Sequence, residues 1–486
     1  MSLRKTAISG IKWTTVGTIG SALFQLLQVS ILTRFLPKEA FGLVAMALFV
    51  VNLSNIFVDL GMTSAILHRQ NATKNEYSSI YWLNIFISLF LYGILFLGSP
   101  VVARFYNQPE LLMLVPILGT NLLLMASGRQ HRTIMQKQFQ FKGIAFTELI
   151  SFFLGLIAAT LLAINDFGVY SLVYSTLIAS FISNSLFLIQ NLRLNPIRIR
   201  FRLKETKPFL KIGGFTMGST LLDFFSREID ILIIGKMLGA ESLGVYSLAK
   251  QIVLKLYSIV NPIILNVLSP ILSSIQKEKE KIKQYYLRII YLLASLNFPA
   301  YFLIIILSKE ILGILYGPDY ISGYLVLSFL AISYALNTMG NPVGSLQIAT
   351  GRTDVGFRWT IIRVLITPLV IYFASLLNIN FVAASIALLS LILVIPAWRI
   401  MLKPIANIKL NEYLQQFWKP YTILLVLSGL YFSFLQFYEL PYSIIINAII
   451  KGITGILLFL ILVYLFDRNR MNGFIKLIKN YSKKNE

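Results

Sequence analysis

Apolar residues run in blocks of about twenty or more along this chain, separated by short polar or charged punctuation. A helix of about 20 apolar residues crosses roughly 30 Å of hydrocarbon. In lipid it satisfies its own backbone hydrogen bonds. The alternating segments of about ten residues that mark a membrane barrel are missing. The blocks predict fourteen spans, near residues 11–35, 40–67, 79–103, 111–135, 142–164, 167–190, 209–234, 241–271, 286–315, 321–350, 355–377, 380–402, 417–437 and 443–466. The expected fold class is an all-α polytopic membrane protein.

Charge then orients the spans. The chain has 43 Lys and Arg against 20 Asp and Glu, a net charge of +23, and only 13% charged residues. If the N-terminus is cytoplasmic, 33 of those 43 basic residues fall in the inward loops and tails and four in the outward loops. That is the positive-inside asymmetry, and it predicts both termini on the cytoplasmic side. Basic residues spread over short loops form no single patch, so a nucleic-acid partner is not expected. The outward loops, such as "LPKEA" (36–40) and "LNIN" (377–380), are too short to hold a catalytic domain. With no cysteine, disulfides and thiolate metal sites are excluded. The N-terminal segment has no small-residue cleavage site, so the first span is expected to be retained. The two histidines, His68 and His131, are far apart at span ends and are read as surface residues. No metal, cofactor or enzymatic constellation is expected, and "GRTDVG" (351–356) lacks the lysine of a phosphate-binding loop.

An internal repeat organises the spans. "LTRFLPKEAFGLVAMA" (32–47) aligns with "IGKMLGAESLGVYSLA" (234–249) at an offset of 202, pairing Arg34 with Lys236, Glu39 with Glu241 and Gly42 with Gly244. Each copy enters from the cytoplasm and holds six spans, so parallel repeats about an axis along the membrane normal are expected. The expected organisation is a six-helix bundle over 1–192, a basic cytoplasmic linker at 193–208, a second six-helix bundle over 209–403 and two extra helices within 404–466. A basic tail follows at 467–486, read either as an amphipathic helix on an anionic leaflet or as topology-setting charge.

Candidate chemistry lies in charges inside spans, which cost roughly 2.5–3.5 kcal/mol each on insertion scales and normally face a cavity. In "SREID" (226–230), Arg227 and Asp230 fall with Asp223 within about 60° of one helix face. They form either a self-neutralising ladder or a polar stripe lining a water-filled cavity. The offset of 202 sets Ser21, Gln25 and Gln28 of the first span opposite them. Lys250, Lys255 and Arg363 add positive charge, and Arg34 either joins them or snorkels outward. A cationic interior of this kind suits an anionic substrate. Asp59, Glu148, Asp223 and Asp230 are the candidates for a coupling cation. Glu148 is also within reach of Lys142 or Arg132.

"LTRFLPKEAFGLVAMALFV", "FVDLGMTSAILHRQ" and "EIDILIIGKMLGAESLGVYSLAKQI" resemble the signature regions of Wzx-type polysaccharide transporters in the multidrug/oligosaccharidyl-lipid/polysaccharide exporter superfamily. The resemblance implies a flippase of undecaprenyl-pyrophosphate-linked oligosaccharide repeat units in a bacterial or archaeal inner membrane. It implies alternating access, coupling to a cation gradient and no enzymatic activity. It further implies a monomer working beside a polysaccharide polymerase and chain-length proteins. A lipid II or drug exporter of the same superfamily is the alternative, and less so a membrane polymerase or glycosyltransferase.

Overall fold

The computed structural model describes residues 3–69, 71–192, 195–276, 278–433 and 443–468. Among these, every regular element is helical. Eleven helices are long and apolar enough to cross a membrane, twelve if the bent pair Ile379–Ile392 and Val394–Ala406 is one span. Among the described residues the expected count of fourteen is therefore not confirmed. Two expected spans share one helical stretch, Leu203–Ser274, and the span expected at 417–437 runs past residue 433. The tail expected to be amphipathic, with Phe474, Ile475, Leu477 and Ile478, lies outside the described residues.

Two compact units divide the chain, one up to Ser247 and one from Leu248 onward. The first contains α1 (Leu3–Leu32), α2 (Lys38–Asp59), α3 (Met62–His68), α4 (Lys74–Tyr106), α5 (Leu111–Lys137), α6 (Phe141–Ile164), α7 (Tyr170–Leu192) and most of α8 (Leu203–Ser274). Sequence sets the local boundaries. Thr73 and Glu76 form a capping box that starts α4, and Asn107 ends it in the left-handed region at φ 57°. Small residues at Ser151, Gly155, Ala159 and Ala163 make a buried stripe on α6, where Gly155 sits against Ala179 of α7. Small side chains let helices approach closely where lipid supplies no hydrophobic drive. α5 is the hub, packing on α2, α3, α4, α6 and α7.

This central position overturns one expectation. His131 is fully buried, beside the Tyr81 ring, rather than on the surface. α5 continues to Lys137, so His131 lies on a helical face buried together with Gln130, Ile134 and Met135.

α8 is broken at Gly239, whose backbone (φ 80°, ψ −178°) is not helical. The chain reverses there. Tyr246 donates a 2.6 Å hydrogen bond to Asp230, sixteen residues away, where a continuous helix would hold them about 24 Å apart. Gly239 is the repeat partner of Pro37, the residue before α2, so both copies turn at the same register.

The two copies meet at that turn. A methyl group on Gly42 would collide with the carbonyl oxygen of Ala240, and one on Gly244 with the carbonyl oxygen of Lys38. Since 42 pairs with 244 and 38 with 240 at an offset of 202, the two collisions are the same contact seen from either copy. α2 and its repeat partner therefore cross backbone to backbone about a local two-fold axis. Lys38 and Glu241 lie 3.7 Å apart beside the crossing.

On the opposite end of this unit, the basic linker is docked on α4. Ser78 accepts from the Arg198 amide at 3.0 Å and Trp82 donates to the Arg198 carbonyl at 2.9 Å. Ser79 accepts from the Arg202 amide at 3.1 Å and donates to Glu205 at 2.5 Å. Residues 193–194 of the expected linker lie outside the described residues.

The second unit is centred on α9 (Lys279–Ile306), which packs against α11 (Tyr324–Gly340), α18 (Trp418–Ser433) and α19 (Ile444–Phe466). Lys451 of α19 meets Glu310, in α10 (Ser308–Leu315), at 2.5 Å. Pro396 lies in the second helix of the bent pair, directly before a π-turn at Trp398–Leu402.

Two predictions follow from these packing contacts. Gly42→Val and Gly244→Val should each cost about 1–3 kcal/mol by overpacking, read as a lower midpoint of thermal unfolding in detergent. Gly98→Ala, with open space around it, should leave the midpoint unchanged. The linker contact should depend on pH. The Ser79 hydrogen bond, and then Arg200, hold the Glu205 carboxyl below its usual range. A depressed carboxyl stabilises the docked linker above its unfolded pKa, about 4.3, and that contribution disappears as pH falls through the lower folded value. Fluorescence of Trp82, kept as the single tryptophan, should report undocking only on that acid side. Glu205→Gln should remove the dependence.

Candidate functional site

Charged residues inside the first unit gather on α5. Arg129 and Arg132 stand three residues apart on this central helix, which places them on neighbouring positions of one face. Each meets a carboxylate from a different helix. Arg129 lies 3.6 Å from Asp59 of α2 and also donates to Asn55. Asp59 in turn accepts from Thr63 at 2.6 Å. Arg132 makes a 2.7 Å contact with Glu148 of α6, using both its Nε and its Nη2 on one carboxylate oxygen. Arg129 is the more enclosed, with 15% of its side chain exposed against 45% for Arg132.

These positions follow from the helix ends. α2 stops at Asp59 because Leu60 and Gly61 adopt left-handed conformations (φ 45° and 67°), leaving the carboxylate at the helix terminus facing α5. Glu148 lies seven residues into α6, on a turn that passes α5. Arg132 and Arg129 are five and eight residues from the end of α5, roughly 7.5 and 12 Å along its axis. Both lie nearer the end of α5 that faces α6 and the linker side than the Gly42 crossing.

The other predicted residues are distributed as follows. Gln28 of α1 donates to the buried Ser175 of α7 at 3.0 Å, and Gln25 is half-buried on the same helix. The 223–230 stripe divides: Asp230 is buried and held by Tyr246, while Asp223 and Arg227 remain exposed and Glu228 is half-buried. An exposed Arg and Asp inside a span are stable in a wet cavity and costly in lipid. Arg34 is exposed in the turn after α1. In the second unit, Lys250 is buried and Lys255 half-buried on the second arm of α8, and Arg363 is half-buried on α13 (Thr353–Ser375). The structure thus brings Asp59 and Glu148 together around α5.

The charge pattern alone counts both arginines with an inward loop, and names Arg132 in addition as a possible partner of Glu148. The signal that places both on a helix rather than in a loop is the continuation of the buried pattern beyond them. Thr133, Ile134 and Met135, after both arginines, are buried. A loop would not bury them.

The pairing has a direct consequence. Arg129→Gln leaves Asp59 without its cation in a partly dry site, whereas Asp59→Asn/Arg129→Gln leaves two neutral groups. The double variant should be more stable than the sum of the single losses by about 1–3 kcal/mol, measured by a thermal or denaturant double-mutant cycle.

The profile of the polysaccharide biosynthesis protein family matches residues 31–323. The chain is 30% identical over 430 residues to the teichuronic acid biosynthesis protein TuaB of Bacillus subtilis (strain 168), covering 87% of each chain. It is 26% identical over 422 residues to the lipopolysaccharide biosynthesis protein WzxC of Escherichia coli (strain K12), covering 87% of this chain and 86% of that one. Among solved structures, the lipid II flippase MurJ in an inward closed conformation superposes with a TM-score of 0.74 at 17% identity. The match covers 95% of this chain and all of that one. At that identity the likeness is one of fold.

Proposed function

The chain belongs to the polysaccharide biosynthesis protein family, and we propose that it is a flippase for undecaprenyl-pyrophosphate-linked oligosaccharide repeat units. It carries them from the cytoplasmic to the outer leaflet for surface polysaccharide assembly, and it performs no covalent chemistry. The observation that carries this reading is the set of arginines and lysines inside spans, with Arg227 exposed and Arg129 and Arg132 on the hub helix. Fixed cations at these depths replace the hydration a pyrophosphate loses on entering the membrane. A drug exporter for organic cations would instead need an acidic interior.

The mechanism we infer is alternating access between repeats related by an axis along the membrane normal. Its support is the offset of 202 and the reciprocal contact of Gly42 with Ala240 and of Gly244 with Lys38. With both termini cytoplasmic, this crossing lies on the outer side and must separate for release into the outer leaflet. The oligosaccharide passes through the wet interior while the polyprenyl chain stays in lipid. Asp223, Asp230, Asp59 and Glu148 are the carboxylates available to a coupling cation. Lys250, Lys255, Arg363, Arg34, Gln25 and Gln28 complete the polar surface offered to phosphate and sugar. The protein acts as a monomer, delivering units to a polymerase and its chain-length partners.

Depleting the protein should leave lipid-linked repeat units on the cytoplasmic leaflet, inaccessible to a lectin added outside intact spheroplasts. Unpolymerised units accumulating on the outer leaflet would identify a polymerase defect and refute the flippase.

A further inference from the structure

An empty cationic site inside a membrane is unstable, because each bare guanidinium would bear its full insertion cost. α5 avoids that cost by borrowing counter-ions. Arg129 and Arg132 are adjacent on one helix face and their charges act on each other. Two like charges in one place are tolerated here because Asp59 and Glu148 arrive from opposite neighbours, α2 and α6. Neither pair is sealed. The side chains of Asp59 and Glu148 remain 26% and 25% exposed, and the Arg129–Asp59 contact, at 3.6 Å, is longer than a charge-assisted hydrogen bond of about 2.7–2.9 Å.

We propose that Arg129 and Arg132 form the loading site for the substrate's diphosphate, with Asp59 and Glu148 as internal stand-ins for its two phosphates. A diphosphate diester carries one negative charge on each phosphate, and guanidinium groups bind phosphate oxygens with two parallel hydrogen bonds. The exchange keeps the count of charges on the arginines constant: two carboxylates leave and two phosphates arrive. The freed carboxylates turn to the water of the cavity. Because the arginines lie roughly 7.5 and 12 Å from the end of α5 on the linker side, a headgroup entering from the cytoplasmic leaflet meets Arg132 first and Arg129 next. The site lies wholly within the first unit, and it rests on the flippase reading above.

Stand-ins make a prediction that a purely structural ion pair does not: removing them should strengthen ligand binding. The purified full chain in detergent is titrated with farnesyl-diphosphate-linked N-acetylglucosamine, itself a diphosphate diester, and with its single-phosphate analogue. Asp59→Asn/Glu148→Gln should bind the diphosphate roughly tenfold more tightly than the unaltered chain, since the internal competitor is gone. Arg129→Gln/Arg132→Gln should bind it at least about tenfold more weakly and lose preference for diphosphate over monophosphate. The four-fold neutral variant, which leaves no unpaired charge to unfold the bundle, should bind as weakly as the arginine pair variant. Unchanged affinity in the neutral variant, or no gain in the carboxylate variant, would overturn the proposal. In cells, cytoplasmic accumulation on depletion with full rescue by the neutral variant would sink this site and leave the flippase standing.

Discussion

The contact on which the first unit depends is the backbone crossing of α2 with its repeat partner. Two helices touch through carbonyl oxygens that point at glycine Cα atoms, and each glycine makes room for the other copy's backbone. Such a crossing needs small residues at one spot on both helices and the same register in both copies. The sequence meets both conditions with Lys38-x-x-x-Gly42 and Ala240-x-x-x-Gly244. The turns beside it are also matched, through Pro37 in one copy and the left-handed Gly239 in the other.

The second constraint is electrostatic. Hydrocarbon penalises a bare charge, so ions inside the first unit are held by partners. Arg129 and Arg132 are paired from two sides, and Asp230 is held by a tyrosine hydroxyl. Asp223 and Arg227 stay exposed on the same arm of α8. The carboxylates paired with α5 remain about a quarter exposed, whereas Lys451 and Glu310, at 2.5 Å and largely buried, behave as a fastening of α19.

Much of this was legible in the sequence, and the reasons differ by level. Apolar block length gave the spans because bilayer thickness fixes it. The offset of 202 pointed to the reciprocal crossing of Gly42 and Gly244 because turns and glycines recur at fixed register. Helical periodicity placed Asp223, Arg227 and Asp230 on one face, yet could not foresee that Tyr246 would draw Asp230 inward. That contact exists only after the chain reverses at Gly239. His131 and Arg129 were misplaced for a shared reason: a charge near a span end reads as loop, while burial there is decided by which helix becomes the hub. The Arg129–Asp59 pairing was likewise a tertiary fact, since Asp59 lies seventy residues before Arg129, whereas Arg132, sixteen residues before Glu148, was within reach of it in the sequence.

The central claim is that α2 and its repeat partner close the outer side and must part for transport. The chain contains no cysteine, so Lys38→Cys/Glu241→Cys introduces the only two thiols, at side chains that now meet at 3.7 Å. Bridging them with a short, reducible bis-thiol reagent should stop outward movement of lipid-linked repeat units in vesicles, and reductant should restore it. Full translocation with the bridge intact would contradict the account.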